Sequence, residues 1–139
     1  MYGEGRGVPQ DDKKAADGYR KAAKQGNADG QYRLGRWYEY TDDKKAAEWY
    51  RKAAEQGHAE SQYGLGLMYY LGEGVLQDTI AAHMWFNIAA SSGKGYAREI
   101  RAQARKMRSE VEKKMSPAQI TEAEQLAKEC IERNYKGCC

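Results

Sequence analysis

The stretch Ala46–Val75, AAEWYRKAAEQGHAESQYGLGLMYYLGEGV, decides the architecture of this chain. Within it, Ala53-Ala54-Glu55-Gln56-Gly57 repeats Ala22-Ala23-Lys24-Gln25-Gly26, thirty-one residues upstream. The same theme returns thirty-six residues downstream as Ala89-Ala90-Ser91-Ser92-Gly93. Self-similarity at such periods is the signature of stacked helix–turn–helix units.

Working outward, each unit reads as two helices. Ala28, Gln31, Tyr32, Leu34, Gly35, Trp37 and Tyr38 mark a first helix, and Ala46, Ala47, Trp49, Tyr50, Ala53 and Ala54 a second. The register recurs as Ala59, Gln62, Tyr63, Leu65, Gly66, Met68 and Tyr69, then Ala82, Trp85, Phe86, Ala89 and Ala90. Gly57 and Gly93 close the units, as Gly26 closes a helix predicted from Asp12 to Gln25. Gly35, Gly66 and the alanine pairs are expected to let helices approach closely, with Trp49 and Trp85 filling the space between hairpins. No unit buries its apolar face alone, so stacking is what stabilises the array. The inter-helix connection is long in one unit, Tyr70–Gln77, and short in the other, Glu39-Tyr40-Thr41. That five-residue deletion shortens the period from thirty-six to thirty-one.

Beyond Gly93 the pattern changes. Ile100, Ala104, Met107, Val111 and Met115 form a helical stripe, predicting one amphipathic helix over Tyr96–Met115. Ser116, Pro117 and Gln119 form a capping-box start for a last helix with Ile120, Ala123, Leu126, Ala127, Cys130 and Ile131 inward. The expected fold class is therefore all-α. It is a solenoid over 1–139: a half repeat at 1–26, repeats at 27–57 and 58–93, and a capping helix pair at 94–139. Met1-Tyr2 aligns with Met68-Tyr69, so the chain is expected to begin partway through a unit. The face Ala15–Ala23 would then lack cover within the chain, and homo-oligomerisation through the half repeat is expected.

With 139 residues the chain has the size of one domain. A mean hydropathy of −0.95 and 31% charged residues are offset by the periodic placement of Ala, Tyr and Trp. The net charge of +3 is concentrated. Residues 94–115 hold eight Lys/Arg and three Asp/Glu. Two readings of that run are open: the solvated face of an amphipathic helix, or a landing site for an acidic partner. Interleaved Glu99, Glu110 and Glu112 oppose a nucleic-acid partner, and none is expected. No apolar run reaches the roughly 18–20 residues of a membrane span.

The quoted positions resemble the Sel-one-like repeat family, relatives of the tetratricopeptide repeat. The pattern reads Ala28…Leu34-Gly35…Tyr38, Asp42, Ala46…Trp49-Tyr50…Ala53-Ala54…Gly57. It reads again as Ala59…Leu65-Gly66…Tyr69…Gly72…Gly74-Val75…Asp78…Ala82…Trp85-Phe86…Ala89-Ala90…Gly93. Residues 1–26 match the second half of a unit, with Gly18 where the family has Trp. The resemblance implies an α/α superhelix serving as a protein-interaction scaffold. In bacteria such proteins are linked to envelope functions, signalling and host contact. First helices line the concave surface in related solenoids. The positions left after assigning packed residues are Arg33, Arg36 and Tyr40, then Glu60, Leu67 and Tyr70. Exposed Arg and aromatic side chains are favoured interface anchors, so these six are the expected contacts for a peptide or partner protein.

No catalytic set stands out, and neither cofactor nor metal is expected. The glycine loops at 3–8 and 72–75 lack the strand and the Lys-Ser/Thr of a phosphate loop. They are expected to be turns with positive φ. His58 and His83 have no second ligand at metal spacing and are expected to be surface or packing residues. Cys130 on the last helix and Cys138 after Gly137 are expected to bridge, which implies an oxidising compartment, periplasmic or secreted. Cys139 is left over. Some cysteine-rich relatives are described as β-lactamases or penicillin binders. They carry a Cys pair in each repeat, whereas residues 1–129 here contain none.

Overall fold

The computed structural model describes residues 10–91 and 98–138, with side chains from Lys13 onward. The glycine-rich start, Gly93 and Cys139 lie outside the described residues. Seven helices follow in order: α1 (Gln10–Lys24), α2 (Ala28–Tyr38), α3 (Asp43–Ala54), α4 (Ala59–Leu71), α5 (Thr79–Ala90), α6 (Arg98–Glu112) and α7 (Pro117–Glu132). Among the described residues no strand occurs. Consecutive helices pack in antiparallel succession from α1 to α5, giving an all-α solenoid.

Local chemistry sets the boundaries. Asn27 and His58 occupy equivalent N-caps of α2 and α4, accepting from Gly30 N–H and Ser61 N–H. Asp42 and Asp78 do the same for α3 and α5. Ser116 and Gln119 form the full capping box of α7. Gly26 and Gly57 end the preceding helices with φ of +89° and +87°, a region that costs other residues about 1 kcal/mol or more.

The helices touch where glycines remove side chains. A Cβ on Gly35 would lie 2.8 Å from the Tyr50 ring, and one on Gly66 would lie 2.8 Å from the Phe86 ring. Tyr50 and Phe86 therefore pack between the two helices of their own unit. Trp85 is fully buried, but Trp49 is only half-buried beneath the Lys52 ammonium. A repeated polar staple joins the units. Gln31 Nε2 donates to Ala23 O at 3.3 Å and Gln62 Nε2 to Ala54 O at 3.1 Å, both glutamines being buried. Each adds a second donor to a carbonyl of the preceding helix's last turn, which also accepts from the backbone N–H of Gly26 or Gly57.

The five-residue difference between units is split between helix and loop. α4 has 13 residues against 11 in α2, and the remainder lies in the longer connection before α5. Gly72 and Gly74 in that connection have φ of +72° and +73°, as the turn reading requires.

One expectation, that the face Ala15–Ala23 lacks cover within the chain, is corrected. Ala16 and Ala23 of α1 are buried at 3% and 2%, because α2 covers them within the chain. The terminal helices α6 and α7 follow the last repeat. Both pack on α5 from different sides. α6 buries Ala104 and Val111 there, and Arg108 and Glu112 bond to Asn87 and His83 of α5 at 2.7 and 2.8 Å. α7 buries Ala123, Ala127 and Cys130, the last two in the cluster with Leu65, Met84 and Trp85. Ile131 is 38% exposed and so stands outside that inner face.

Candidate protein-interaction face

Residues spaced i, i+4 and i+7 along α2 form one stripe: Asp29, Arg33 and Arg36, with Tyr32 beside them. α4 begins next to it, bringing His58 and Glu60. Arg33 Nε donates to Asp29 Oδ2 at 2.9 Å, and its guanidinium lies 5.8 Å from the Tyr19 ring centroid. The hydrogen bond and charge of Asp29 hold the Arg33 pKa above its ordinary value. Burial raises the Tyr32 phenol; Glu60 adds to that rise and Arg36 opposes it, which puts both charges around one ring. The His58 imidazole stacks on Tyr32 at 4.9 Å, with Nε2 3.9 Å from Asp29 Oδ1. Its burial pushes the pKa below the ordinary value, while Glu60 and Asp29 work the other way. The result is an oriented, exposed strip of alternating charge over an aromatic floor. It supplies directed hydrogen bonds and planar stacking, the chemistry of peptide recognition.

The six residues singled out from sequence are divided by the structure. Arg33, Arg36 and Glu60 are exposed; Arg36 and Glu60 lie around Tyr32, and Arg33 between Asp29 and Tyr19. Tyr40, 45% exposed, stands at the other end of α2, where it shares a shallow hollow of about 240 Å³ with Leu67 and Leu71. Leu67 and Tyr70 are half-buried, packed on the cluster of Ala82, Phe86 and Val111 alongside Met107 and Met115. Lys114 lies 5.0 Å over the Tyr70 ring. Helix α6 therefore covers the part of α4 that holds these two residues.

Sequence reasoning passed over Asp29, Tyr32 and His58. The usable signal was spacing: Asp29 is four residues before Arg33, and His58 follows Gly57 as Asn27 follows Gly26. His83 is fully buried on α5, with Nε2 2.8 Å from Glu112 Oε2. Its Nδ1 has no hydrogen-bond partner among the described residues. Cys130 and Cys138 are joined, with Cα atoms 5.2 Å apart, and the joined tail sets Tyr135 against the buried cluster under α7. Among the described residues no helix is long and apolar enough to cross a membrane.

The Sel1 repeat model matches three times, at residues 1–27, 28–58 and 59–94. The fold is similar to the crystal structure of a protective antigen from uropathogenic Escherichia coli strains that displays an SLR fold. The TM-score is 0.82 at 34% identity, covering 95% of this chain and 28% of the antigen. A Sel1 repeat protein from Oxalobacter formigenes is also similar, with TM-score 0.57 and 37% identity over 72% of this chain and 30% of that one. The chain thus spans less than a third of the length of either relative. No match is found among proteins of curated function. Three matched repeats, the stapled helix pairs and the shared solenoid lead to one conclusion: the chain belongs to the Sel1 repeat family.

Proposed function

We propose that this chain is a non-enzymatic interaction scaffold that receives an extended peptide or a helix of a partner protein on the α2/α4 face. The observation that supports this reading is the oriented stripe of Arg33, Arg36 and Glu60 beside Tyr32. Arginines held in place by neighbours lose little freedom on binding, so more of their hydrogen-bond energy appears as affinity. Tyr40, Leu67 and Tyr70 contribute through whatever edge a longer ligand reaches. The Cys130–Cys138 pairing supports residence in an oxidising compartment, periplasmic or extracellular.

The test begins with affinity capture and mass spectrometry from the native organism, which identifies the partner. Arg33→Glu with Arg36→Glu is then expected to weaken that partner's binding about tenfold or more with no loss of helicity. Unchanged affinity would remove the α2/α4 face from the account. A nitrocefin assay is expected to show no hydrolysis, and turnover above background would overturn the non-enzymatic reading.

A further inference from the structure

The connection between α4 and α5 is unusually well anchored for a surface loop. Gly72 and Glu73 N–H groups donate to Met68 O at 2.7 and 3.0 Å, and Asp78 N–H to Tyr69 O at 3.0 Å. Gln77 Nε2 donates to Tyr70 O at 3.1 Å. Gly74 lies so close to the Asp43 backbone that no Cβ fits, and Val75 packs on the cluster of Ala46, Ala47, Tyr50 and Met68. The shortened connection of the preceding unit leaves the room that this loop leans over. On so fixed a loop Leu76 is 90% exposed, and Leu71, at the end of α4, is 58% exposed. A large apolar side chain held out by an ordered backbone has its ordering cost already met, so its burial contributes directly to binding.

The chemistry around these leucines is one-sided. Two adjoining hollows meet at Asp43: a broad one of about 630 Å³ with Asp42, Val75 and Leu76, and the smaller one with Glu39, Leu71 and Glu73. Four carboxylates thus border the apolar ridge, against the single ammonium of Lys44. Exposed leucines inside an acidic border fit a ligand that brings both an apolar anchor and cations. The basic helix α6 of a second copy does not bring both. It offers exposed Arg98, Arg105 and Lys106, with Lys113 just beyond its end, but no exposed large apolar side chain. Contact between one copy's edge and another's α6 would also be head-to-tail and would not close on itself.

We propose that the edge formed by residues 39–43 and 71–76 is a docking surface for a basic segment of a partner protein. A leucine-sized side chain of that segment packs against Leu71 and Leu76, and its flanking lysines or arginines face Glu39, Asp42, Asp43 and Glu73. This surface is distinct from the arginine stripe and does not rest on it.

The test uses the full chain and three fluorescent octapeptides: Lys-Leu-Lys-Leu-Leu-Lys-Leu-Lys, a version with glutamate for lysine, and a version with alanine for leucine. Anisotropy is expected to show the lysine–leucine peptide binding about tenfold or more tighter than either other peptide. Its amide shifts in a ¹⁵N correlation spectrum should centre on residues 39–44 and 71–78. Leu76→Asp, which alters an exposed side chain, should weaken binding by about the same factor with an unchanged melting midpoint. Asp43→Lys with Glu73→Lys should reverse the preference between the lysine and glutamate peptides. Arg33→Glu with Arg36→Glu should leave the preference intact, so failure of the stripe and failure of this edge are separable. Equal binding of the three peptides, shifts centred elsewhere, or insensitivity to Leu76→Asp would overturn the proposal. So would a concentration-dependent dimer that Leu76→Asp dissociates in the absence of peptide binding, because it would assign the edge to a second copy.

Discussion

Replacing Gly35 with alanine tests the close packing of α2 on α3 against a control in the same chain. At Gly18, exposed in the interior of α1, a Cβ meets nothing within 4 Å. Gly18→Ala should therefore return the full helix-propensity gain of about 1 kcal/mol. At Gly35 the same Cβ lands 2.8 Å from two carbons of the Tyr50 ring. That ring cannot easily step aside. It is 2% exposed, its hydroxyl donates to Glu39 Oε2 at 2.5 Å, and its opposite edge lies 3.6 Å from where a Gly64 Cβ would stand. Overpacking costs about 1–3 kcal/mol, and weakening the Tyr50–Glu39 bond adds about 1 kcal/mol. Against these stands the propensity gain of about 1 kcal/mol. Gly35→Ala is thus expected to lose about 1–3 kcal/mol, and the two substitutions should differ by about 2–4 kcal/mol. Urea unfolding followed by far-ultraviolet circular dichroism reads this difference as opposite shifts of the midpoint. If Gly35→Ala stabilises the chain as much as Gly18→Ala, close approach at Gly35 does not hold α2 against α3.

Two further outcomes follow from other sites. His58 caps α4 through Nδ1, which accepts from Ser61 N–H and loses that role when protonated. Its folded-state pKa is lowered by burial, against the opposing charges of Glu60 and Asp29 and with a smaller lowering effect from Arg33. Its contribution is therefore complete above the unfolded-state value near 6.5 and lost as pH falls below it toward the folded-state pKa. His58→Asn, which copies the cap at Asn27, should keep α4 capped and flatten the stability difference between pH 7 and pH 5; parallel pH profiles for the two proteins would contradict this. For the Cys130–Cys138 bridge, a sequence separation of 8 gives about 2.5 kcal/mol from loop closure. Reduction, or Cys138→Ser, should lower the thermal midpoint accordingly and loosen Tyr135 from the buried cluster. An unchanged midpoint, or three free thiols in unreduced protein, would refute it.

Much of the fold was legible because its determinants are local. The cap at Ser116, the glycine stops at Gly26 and Gly57, and the stripe along α6 follow from nearest-turn chemistry. So do the two repeats, since the same face must be apolar in each. Where α6 and α7 pack was not legible. A single apolar stripe says that a helix is covered, not by what, and both found α5. That choice left Leu67 and Tyr70 half-buried beside α6 while Arg33 and Arg36 stayed exposed, dividing a set that looked uniform by register. Trp49 misled for a similar reason. Its place in the repeat is that of Trp85, but its neighbours are Lys52 and the thin end of the array, so it is only half covered. The glutamine staples at Gln31 and Gln62 were visible as a repeated letter. Their role as partners of Ala23 and Ala54 carbonyls emerged only from the packing of successive units.

The central claim, that the α2/α4 face receives a protein partner, is tested most directly by site-specific photocrosslinking. A benzoylphenylalanine is placed at position 36 on the face, and in a separate protein at position 48, exposed on α3. The account predicts that the captured partner crosslinks strongly through position 36 and weakly or not at all through position 48. Equal crosslinking at both positions, or crosslinking at 48 alone, would contradict it.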